Sequence, residues 1–369
     1  MKIARRHDHL IRLLSLWAIG IAGSILGEAS VAAPALGTYN IDAARISVSG
    51  FSAGGFFAMQ MGVAYSSVFH GVGIFAGGPY DCARQSYVYG CINNAVPDII
   101  GSVANMRSWS GNRIDSVKNI SGQRVYIFVG KDDGIVGPNV TREVERLYVD
   151  VGGFVAGANV KYVELDGVNH TFPTDFNRAG DSPCDFLALP YISNCQFDGA
   201  GDALQWIYGA LNAPNAGTLS GNLIAFDQTP FIGHGSGMDT TGWVYVPASC
   251  AAGHRCALHV ALHGCQQAYA VIGAFFLNNT GYNRWADSNN MILLYPQTSA
   301  SLSNPFSCWD WIGLYGSDYD QKSGIQMKAI MAMIRHIVGG SSAIAPAMNR
   351  DAHGNDVSSL SGKSPATTY

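Results

Sequence analysis

Short apolar runs, each bounded by glycine or polar turn residues, dominate the hydrophobic pattern of this chain. These runs predict strands at residues 45–49, 71–76, 125–129, 160–165, 243–246, 258–262 and 291–295. Two longer patterns, at residues 203–211 and 325–338, have the apolar spacing of helices. Short strands interspersed with helices are typical of the α/β class, in which helices flank a mostly parallel central sheet. The pattern therefore predicts an α/β fold.

Residues 50–54 carry the first indication of chemistry. They read Gly-Phe-Ser-Ala-Gly, follow the predicted strand 45–49 and precede an apolar helical pattern at residues 56–61. In this context G-x-S-x-G forms a nucleophile elbow, and its glycines are needed because a strained turn leaves no room for Cβ atoms beside the serine. The alternative is a glycine-rich turn without chemistry. The flanking elements favour Ser52 as a nucleophile.

The N-terminal residues have the pattern of a secretory signal. Basic residues at positions 2, 5, 6 and 12 precede an apolar stretch at 13–26 and the small residues Ala-Ser-Val-Ala-Ala at 29–33. A membrane anchor is the alternative, but the stretch is shorter than the roughly 20 residues that a span needs. We therefore expect a signal peptide at 1–32, a catalytic domain at 33–338 and a polar, flexible tail at 339–369.

The charge of the chain excludes some partners. It has 22 Lys and Arg against 26 Asp and Glu, with no basic cluster. Nucleic acid is therefore not an expected partner. No segment after the signal is apolar enough to cross a bilayer, so we expect no membrane contact after signal cleavage.

All eight cysteines follow the predicted signal, and an even number in an exported protein indicates disulfides. Their spacing suggests three short loops and leaves one longer pair, as follows: Cys82–Cys91, Cys184–Cys195, Cys250–Cys256 and Cys265–Cys308. A metal site is the alternative, but the chain has no C-x-x-C or paired-histidine spacing to support it. We therefore expect neither a metal nor another cofactor.

A serine nucleophile needs a histidine base and a carboxylate that orients the base. In α/β-hydrolases the three follow the order serine, acid, histidine. Two aspartates follow the strand at 125–129, and Asp133 holds the fourth place of G-x-x-D, so we favour it over Asp132, which is expected to cap the turn. His170 stands on a short polar loop after the strand at 160–165. These residues complete a candidate triad with Ser52.

Acyl transfer also needs two N–H donors for the tetrahedral oxyanion. One should be the backbone N–H of Ala53, directly after the nucleophile. The other normally comes from a His-Gly loop after the third strand, and residues 263–265 read His-Gly-Cys after the strand at 258–262. The N–H of Cys265 is the predicted second donor. His259, inside that strand, is expected to be a hydrogen-bonded core residue.

The position of the His-Gly loop predicts a circular permutation. In an ordinary α/β-hydrolase this loop precedes the nucleophile, but here it lies far downstream, beyond a polar linker at 212–220. If the segment after the linker supplies the early strands of the sheet and residues 45–211 supply the late ones, the His-Gly loop and the nucleophile elbow both have their usual positions in the sheet. The alternative is two separate domains, which would leave the first half with too few strands for a buried parallel sheet.

Seven motifs carry a resemblance to a known family. They are Gly-Phe-Ser-Ala-Gly-Gly at 50–55, Phe-Ala-Gly-Gly-Pro-Tyr-Asp-Cys-Ala at 75–83, Val-Gly-Pro-Asn-Val at 136–140, His-Thr-Phe-Pro-Thr-Asp-Phe at 170–176, Tyr-Ile-Ser-Asn-Cys at 191–195, Leu-His-Gly-Cys at 262–265 and Cys-Trp-Asp-Trp at 308–311. Over residues 40–338 the chain resembles secreted single-domain poly(3-hydroxybutyrate) depolymerases. That group is similar to circularly permuted α/β-hydrolases.

The resemblance implies a function and a set of site residues. The family's triad would fall on Ser52, Asp133 and His170, and its oxyanion donors on Ala53 and Cys265. A crevice tryptophan would fall in the motif at 308–311, where we expect Trp309 to contact substrate and Trp311 to lie in the core.

The expected substrate is a solid or oligomeric polyester, which a secreted monomer cleaves through an acyl-enzyme. No separate polymer-binding module is visible, so adsorption would use exposed apolar residues around the catalytic mouth. A feruloyl or acetyl-xylan esterase, a hydrolase of another polyester and a catalytically silent polymer-binding protein remain alternatives.

Overall fold

Residues 33–339 are described by the computed structural model of this chain. Its strands, in chain order, are β1 (Ile41–Phe51), β2 (Gly71–Phe75), β3 (Arg124–Gly130), β4 (Val160–Leu165), β5 (Phe172–Thr174), β6 (Ile192–Asn194), β7 (Asn222–Asp227), β8 (Thr241–Val246), β9 (Cys256–Leu262) and β10 (Met291–Tyr295). Its α-helices are α1 (Ala53–Ala64), α2 (Cys82–Ser86), α3 (Ile100–Trp109), α4 (Pro138–Arg146), α5 (Gly199–Tyr208), α6 (Ala248–Ala251), α7 (Tyr269–Ile272), α8 (Phe275–Asn279), α9 (Tyr282–Ser288) and α10 (Ile325–Ile337). The predicted signal peptide at 1–32 and the tail after residue 339 lie outside the described residues.

An eight-stranded sheet forms the centre of the fold, in the order β4-β3-β2-β1-β9-β10-β8-β7. The strands from β4 to β10 along this order run parallel, and β8 and β7 pair in antiparallel fashion at one edge. The remaining strands, β5 and β6, form a small separate parallel pair. The mostly parallel sheet confirms the predicted α/β class. None of the helices in the described region is long and apolar enough to cross a membrane.

The sheet has the strand neighbours that the permutation requires. β1 pairs in parallel with β9, in a register that sets Ser47 beside His259 and Gly50 beside Leu262. If the strands of this sheet are renumbered so that β7 to β10 become 1 to 4 and β1 to β4 become 5 to 8, their order across the sheet is 1-2-4-3-5-6-7-8. The N–H of Tyr39 donates to the carbonyl of Ile337 at 2.8 Å, so the end of α10 adjoins the start of β1. The two-domain alternative is wrong, because both halves of the chain contribute to one sheet.

The predicted strands agree with the structure to within a few residues, but β5, β6 and β7 were not predicted. β7 lies at the sheet edge, and only Phe226 among its residues is buried, although its residues 223–226 read Leu-Ile-Ala-Phe and are as apolar as those of the predicted strands. The helix predicted at 203–211 begins earlier, at Gly199, because the carboxylate of Asp198 accepts the N–H of Gly201 at 2.8 Å and caps it. It ends at Gly209, whose φ of 82° breaks the helix.

Side chains of β1 alternate between two cores, one on each face of the sheet. Val48 packs with α1 and α10 on one face, and Phe51 packs in the second cluster on the other face. On that second face His259 lies within hydrogen-bond distance of two hydroxyl groups, those of Ser47 at 2.6 Å and Ser49 at 2.8 Å. Burial lowers the pKa of His259 to about 3, so the ring is neutral. The prediction that this histidine is a hydrogen-bonded core residue is confirmed.

All four predicted disulfides are present, namely Cys82–Cys91, Cys184–Cys195, Cys250–Cys256 and Cys265–Cys308. No cysteine among the described residues is free. The first three close short loops, and the fourth joins segments that are 43 residues apart. This last bond restrains the loop that follows β9.

The linker at 212–220 is fixed to the body of the protein by Asp287. Its carboxylate accepts hydrogen bonds from the side-chain amide of Asn215 at 2.6 Å, the hydroxyl of Ser220 at 2.7 Å and the hydroxyl of Tyr245 at 2.5 Å, as well as from the N–H of Gly221 at 3.1 Å. Partial burial opposes ionisation, but these donors outweigh it and lower the pKa of Asp287 to about 2. The permutation junction is thus an anchored segment.

We predict that Asp287→Asn lowers the free energy of unfolding by about 1–2 kcal/mol at neutral pH, since the new amide turns a donor toward other donors. The folded-state pKa of Asp287 lies below its ordinary value. The carboxylate therefore stabilises the fold above pH of about 4, and this contribution is lost as the pH falls toward 2.

Urea unfolding of both proteins across this pH range measures the difference. Asp166→Asn is the control, because its carboxylate is 84% exposed and pairs only with Lys131. An equal effect of the two substitutions at neutral pH would contradict the anchoring role.

Candidate active site

Ser52 stands at the sharp turn between β1 and α1, as predicted. Its φ of 55° and ψ of −121° lie outside the regions that non-glycine residues ordinarily adopt. The turn is held by the N–H of Ser52, which donates to the carbonyl of Phe75 on β2 at 2.9 Å. A Cβ at Gly54 would lie only 2.4 Å from the carbonyl oxygen of His263, so this position needs glycine. The strained turn pushes the serine side chain out of the sheet edge.

The three predicted triad residues lie in one hydrogen-bonded row. The Oγ of Ser52 lies 2.9 Å from Nε2 of His170, and Nδ1 of His170 lies 2.8 Å from Oδ2 of Asp133. The other carboxylate oxygen, Oδ1, accepts the N–H groups of Ile135 at 2.8 Å and Val136 at 2.9 Å. Because an ionised carboxylate only accepts, Nδ1 carries the ring proton and Nε2 is left to accept the proton of Ser52.

The electrostatics of Asp133 keep it ionised although it is only 3% exposed. Burial alone would raise its pKa. The favourable interaction with His170 and the N–H donors of Val136 and Ile135 outweigh burial, and they hold the pKa of Asp133 below its ordinary value. The ring of Phe51 packs 4.8 Å from the His170 ring, centroid to centroid, and restricts its orientation.

The structure distinguishes between the two neighbouring aspartates. Asp133 is buried and directed at His170, whereas Asp132 is exposed to solvent. The N–H of Asp133 donates to the carbonyl of Gly130 at 3.2 Å and closes the turn, while the N–H of Asp132 donates to the carbonyl of Val168 at 3.0 Å and joins this turn to the loop that carries His170. The G-x-x-D spacing therefore identified the aspartate that contacts the histidine.

The two predicted oxyanion donors lie beside the nucleophile. Ala53 is the first residue of α1, where backbone N–H groups have no partner within the helix. A Cβ at Gly264 would lie 3.2 Å from the Cβ of Ser52, so the loop that contains Cys265 is packed against the serine. Among the hydrogen bonds of residues 33–339, neither the N–H of Ala53 nor that of Cys265 has an acceptor.

The prediction that Trp309 contacts substrate is wrong. Its side chain is 0% exposed and stacks on Phe57 of α1 in the core, with ring centroids 5.2 Å apart. Trp311, which was expected to be core, is only partly buried and stacks on Phe56 at 4.3 Å. The segment that carries both residues is irregular, so it has no period from which their directions could be predicted.

The loop between Cys184 and Cys195, for which the sequence predicts no role, adjoins His170. The N–H of Asn169 donates to the carbonyl of Cys184 at 2.8 Å, and the N–H of Phe172 donates to that of Tyr191 at 2.9 Å. The loop closed by Cys184–Cys195 therefore supports the chain on both sides of His170. The motif at 191–195 marked this loop, but nothing in the sequence indicated what it contacts.

Side chains that could bind a metal do not cluster in the described region. Residues 33–339 contain no group of three or more His, Cys, Asp or Glu side chains that could hold a metal ion. The row of Ser52, His170 and Asp133 is instead the arrangement of a serine nucleophile with its base and orienting acid.

Two known proteins are similar in sequence to this chain over most of its length. It is 54% identical over 328 residues to a polyhydroxybutyrate depolymerase of Talaromyces funiculosus, a match that covers 85% of this chain and 96% of the relative. It is 42% identical over 345 residues to a poly(3-hydroxybutyrate) depolymerase of Delftia acidovorans, covering 89% of this chain and 67% of the relative. No protein-family model matches the chain.

Two solved structures have the same fold. The crystal structure of the PHB depolymerase from Penicillium funiculosum superimposes with a TM-score of 0.80 at 53% identity, covering 83% of this chain and 99% of that one. A serine-to-alanine variant of a PHB depolymerase, complexed with an R3HB trimer, superimposes with a TM-score of 0.79 at 52% identity, with the same coverage of both chains.

We predict that Asp133→Asn and Asp132→Asn have very different effects on Ser52. An amide at position 133 favours the wrong tautomer of His170, so the rate at which an organophosphonate labels Ser52 should fall by about 10³–10⁴-fold. The same change at the exposed Asp132 should leave the labelling rate unchanged. Similar rates for the two variants would show that Asp133 does not orient the base.

Proposed function

This chain belongs to the poly(3-hydroxybutyrate) depolymerase family, and on that premise we propose that it hydrolyses poly(3-hydroxybutyrate) through an acyl-enzyme on Ser52. The observation that carries the proposal is the continuous row from Ser52 Oγ through His170 to Asp133, with distances of 2.9 Å and 2.8 Å. Next to it lie the two N–H groups of Ala53 and Cys265. These groups supply a nucleophile, a base and an anion site, which are the parts that acyl transfer needs.

In the first half of the reaction Ser52 attacks the ester carbonyl carbon. His170 accepts the serine proton at Nε2 as the new C–O bond forms. The negative charge that develops on the carbonyl oxygen is stabilised by the N–H groups of Ala53 and Cys265, since neither has a protein acceptor among the described residues. His170 then gives its proton to the departing alkoxide, and the hydroxyl end of the polymer leaves.

In the second half a water molecule replaces the alcohol. His170 takes a proton from this water, which attacks the acyl-enzyme and releases the 3-hydroxy acid and free Ser52. Throughout, Asp133 keeps the proton on Nδ1 and stabilises the imidazolium that forms twice per turnover. The buried, ionised carboxylate can do this because the N–H groups of Ile135 and Val136 share its charge.

The choice of polyester rests on the relatives. A chain 52% identical to this one over nearly its full length is complexed with a trimer of R-3-hydroxybutyrate. The weakly charged composition, with 13% charged residues against about 25% in typical domains, suits a neutral, sparingly soluble substrate. We therefore propose a chain of 3-hydroxybutyrate units as the substrate.

Contact with solid polymer would use exposed apolar side chains on loops that adjoin the site. Phe186 is 64% exposed and Leu189 is 49% exposed, and both belong to the Cys184–Cys195 loop that supports His170. Phe306 is 53% exposed, and its carbonyl accepts the N–H of Gln266. Gln266 belongs to the loop at residues 263–267, here called the oxyanion loop, which contains the donor Cys265. Burial of such apolar side chains against a polyester surface is favourable, because it removes apolar area from water.

We propose that the protein works outside the cytoplasm. Four disulfides in the described region support this location, because such bonds form and persist in oxidising compartments. The signal pattern at residues 1–32 supports the same location.

We predict that Ser52→Ala abolishes the clearing of a poly(3-hydroxybutyrate) suspension while the variant still sediments with the polymer. The substitution removes the nucleophile and leaves the loops that carry the apolar side chains unchanged. Turbidity of the suspension and release of 3-hydroxybutyrate measure the first effect, and co-sedimentation measures the second.

Ser303→Ala, on an exposed loop, is the control and should clear the suspension normally. If Ser52→Ala clears the suspension at a rate near that of the wild type, Ser52 is not the nucleophile. Release of aromatic acid from plant cell-wall material by the wild type, without release of hydroxybutyrate from polymer film, would instead assign a feruloyl esterase.

A further inference from the structure

Gly264, in the oxyanion loop, is held by side chains at both of its backbone polar groups. Its N–H donates to Oε1 of Gln267 at 2.7 Å. Its carbonyl accepts from Nδ1 of His263 at 2.8 Å. A glycine ordinarily leaves the peptide planes on both sides free to rotate. Here each plane is fixed by a buried side chain, since His263 is 0% and Gln267 is 1% exposed.

The bond from His263 determines where the N–H of Cys265 points. The carbonyl of Gly264 and the N–H of Cys265 belong to the same trans peptide, so they point in opposite directions from one plane. When His263 holds the carbonyl on one side, the N–H of Cys265 is directed to the other. No acceptor among the described residues takes this N–H, and Gly264 packs against Ser52. A donor without a protein acceptor therefore lies in the loop that packs against Ser52.

The protonation state of His263 suits this task. Burial lowers its pKa to about 4, so the ring is neutral at the pH of an extracellular reaction. A carbonyl can only accept, so the single ring proton lies on Nδ1. Nε2 faces Thr298, whose N–H lies 3.4 Å away and whose hydroxyl oxygen lies 3.2 Å away. The hydroxyl proton is donated to the carbonyl of Ser307 at 2.6 Å, so Nε2 is left to accept from the N–H of Thr298. The tautomer that fixes Gly264 is therefore the one its surroundings select.

Gln267 connects the oxyanion loop to the segment that supports the base. Its Nε2 donates to the carbonyls of Pro190 at 2.8 Å and Tyr191 at 3.2 Å, in the loop closed by Cys184–Cys195. The carbonyl of Tyr191 also accepts the N–H of Phe172, two residues after His170. One short segment therefore sets the distance between the base and the oxyanion donor.

We infer that Gln267 and His263 are positioning residues for the reaction, which hold the Cys265 N–H in the oxyanion site and in register with His170. Neither side chain touches the reacting atoms; both act through the backbone of Gly264. The inference rests on the proposed function, because it requires that Cys265 supplies an oxyanion donor.

A positioning role of this kind has a kinetic signature. The oxyanion develops in the transition states and exists in the tetrahedral intermediate but not in the bound substrate, so a misdirected donor lowers kcat and kcat/KM together and leaves KM unchanged. Complete loss of one such donor costs about 10²–10³-fold in kcat. Loss of a residue that directs the donor should cost less, about 10–100-fold.

The experiment compares Gln267→Leu with Gln228→Leu. Gln228 is an equally buried control with the same bonds, because its Oε1 accepts the N–H of Gln297 at 3.0 Å and its Nε2 donates to the carbonyls of Asp239 at 2.6 Å and Gln297 at 3.1 Å. In the described region its hydrogen bonds go to Asp239 and Gln297 and not to the oxyanion loop. Both substitutions remove three hydrogen bonds of the same type, so both should lower the urea midpoint of unfolding.

On a soluble nitrophenyl butyrate, we expect kcat to fall by about 10–100-fold in Gln267→Leu at unchanged KM, and to stay within about twofold in Gln228→Leu. His263→Phe keeps an aromatic ring but removes the Nδ1 donor to the Gly264 carbonyl. It should therefore also lower kcat at unchanged KM. Equal kcat values for Gln267→Leu and Gln228→Leu, or a change confined to KM, would overturn the inference.

Gln267→Glu decides the question should Gln267→Leu fail to fold. The new carboxylate still accepts the Gly264 N–H but lies against two carbonyl oxygens, and protonation gives it a donor toward them. The kcat of this variant, divided by that of the wild type at the same pH, should therefore rise as the pH falls. A ratio near one at every pH would contradict the positioning role.

Ser52→Ala separates the two hypotheses. If Ser52→Ala retains turnover, the proposed function itself fails. If Ser52→Ala is inactive and Gln267→Leu matches its control, only the positioning inference fails.

Discussion

The parallel pairing of β1 with β9 is the constraint on which the site depends. Gly50 on β1 lies beside Leu262 on β9, so Ser52 and Gly264 each follow two residues beyond the same pair. These strands are far apart in sequence, and hydrogen bonds between them bring the nucleophile and the oxyanion loop to one edge of the sheet. A shift of register by one residue would turn the side chains of β1 to the opposite faces and separate the two loops. The hydroxyl groups of Ser47 and Ser49, which face His259 across the pair, fit only the observed register.

The same edge collects the remaining functional groups because the neighbouring strands are parallel. Asp133 follows the carboxyl end of β3, and His170 follows that of β4, so both lie on loops at the edge where β1 ends. The antiparallel strands β7 and β8 lie at the far edge of the sheet and contribute no group to the row. The negative charge at this edge is stabilised by nearby hydrogen-bond donors rather than by distant ion pairs. Asp133 is kept ionised in a buried site by His170 and by two backbone N–H groups that a tight turn directs at it.

Much of the site could be predicted because its signals are local. The glycines around Ser52, the G-x-x-D spacing of Asp133 and the loop position of His170 each follow from what one short segment must do. Cysteine spacing likewise identified four disulfides, three of which close short loops. Predictions failed where side-chain direction depends on distant neighbours. Trp309 and Trp311 could not be told apart in an irregular segment. The edge strand β7 was missed although its residues 223–226 are apolar, because a short apolar run does not by itself distinguish a strand from a loop or a helix.

The sequence by itself determined the class of the fold, the permuted arrangement of its two halves and the three residues that lie in one hydrogen-bonded row at the site, because backbone sterics and periodic burial act over a few residues at a time. Only the tertiary structure decided which contacts support those residues. Gln267 follows the His-Gly-Cys motif in the printed sequence, yet its side-chain amide donates to the carbonyls of Pro190 and Tyr191, which are 77 and 76 residues away. Such bonds use backbone groups that every residue carries, so no pattern of residue types records them. They become visible when folding buries both groups and each must find a partner.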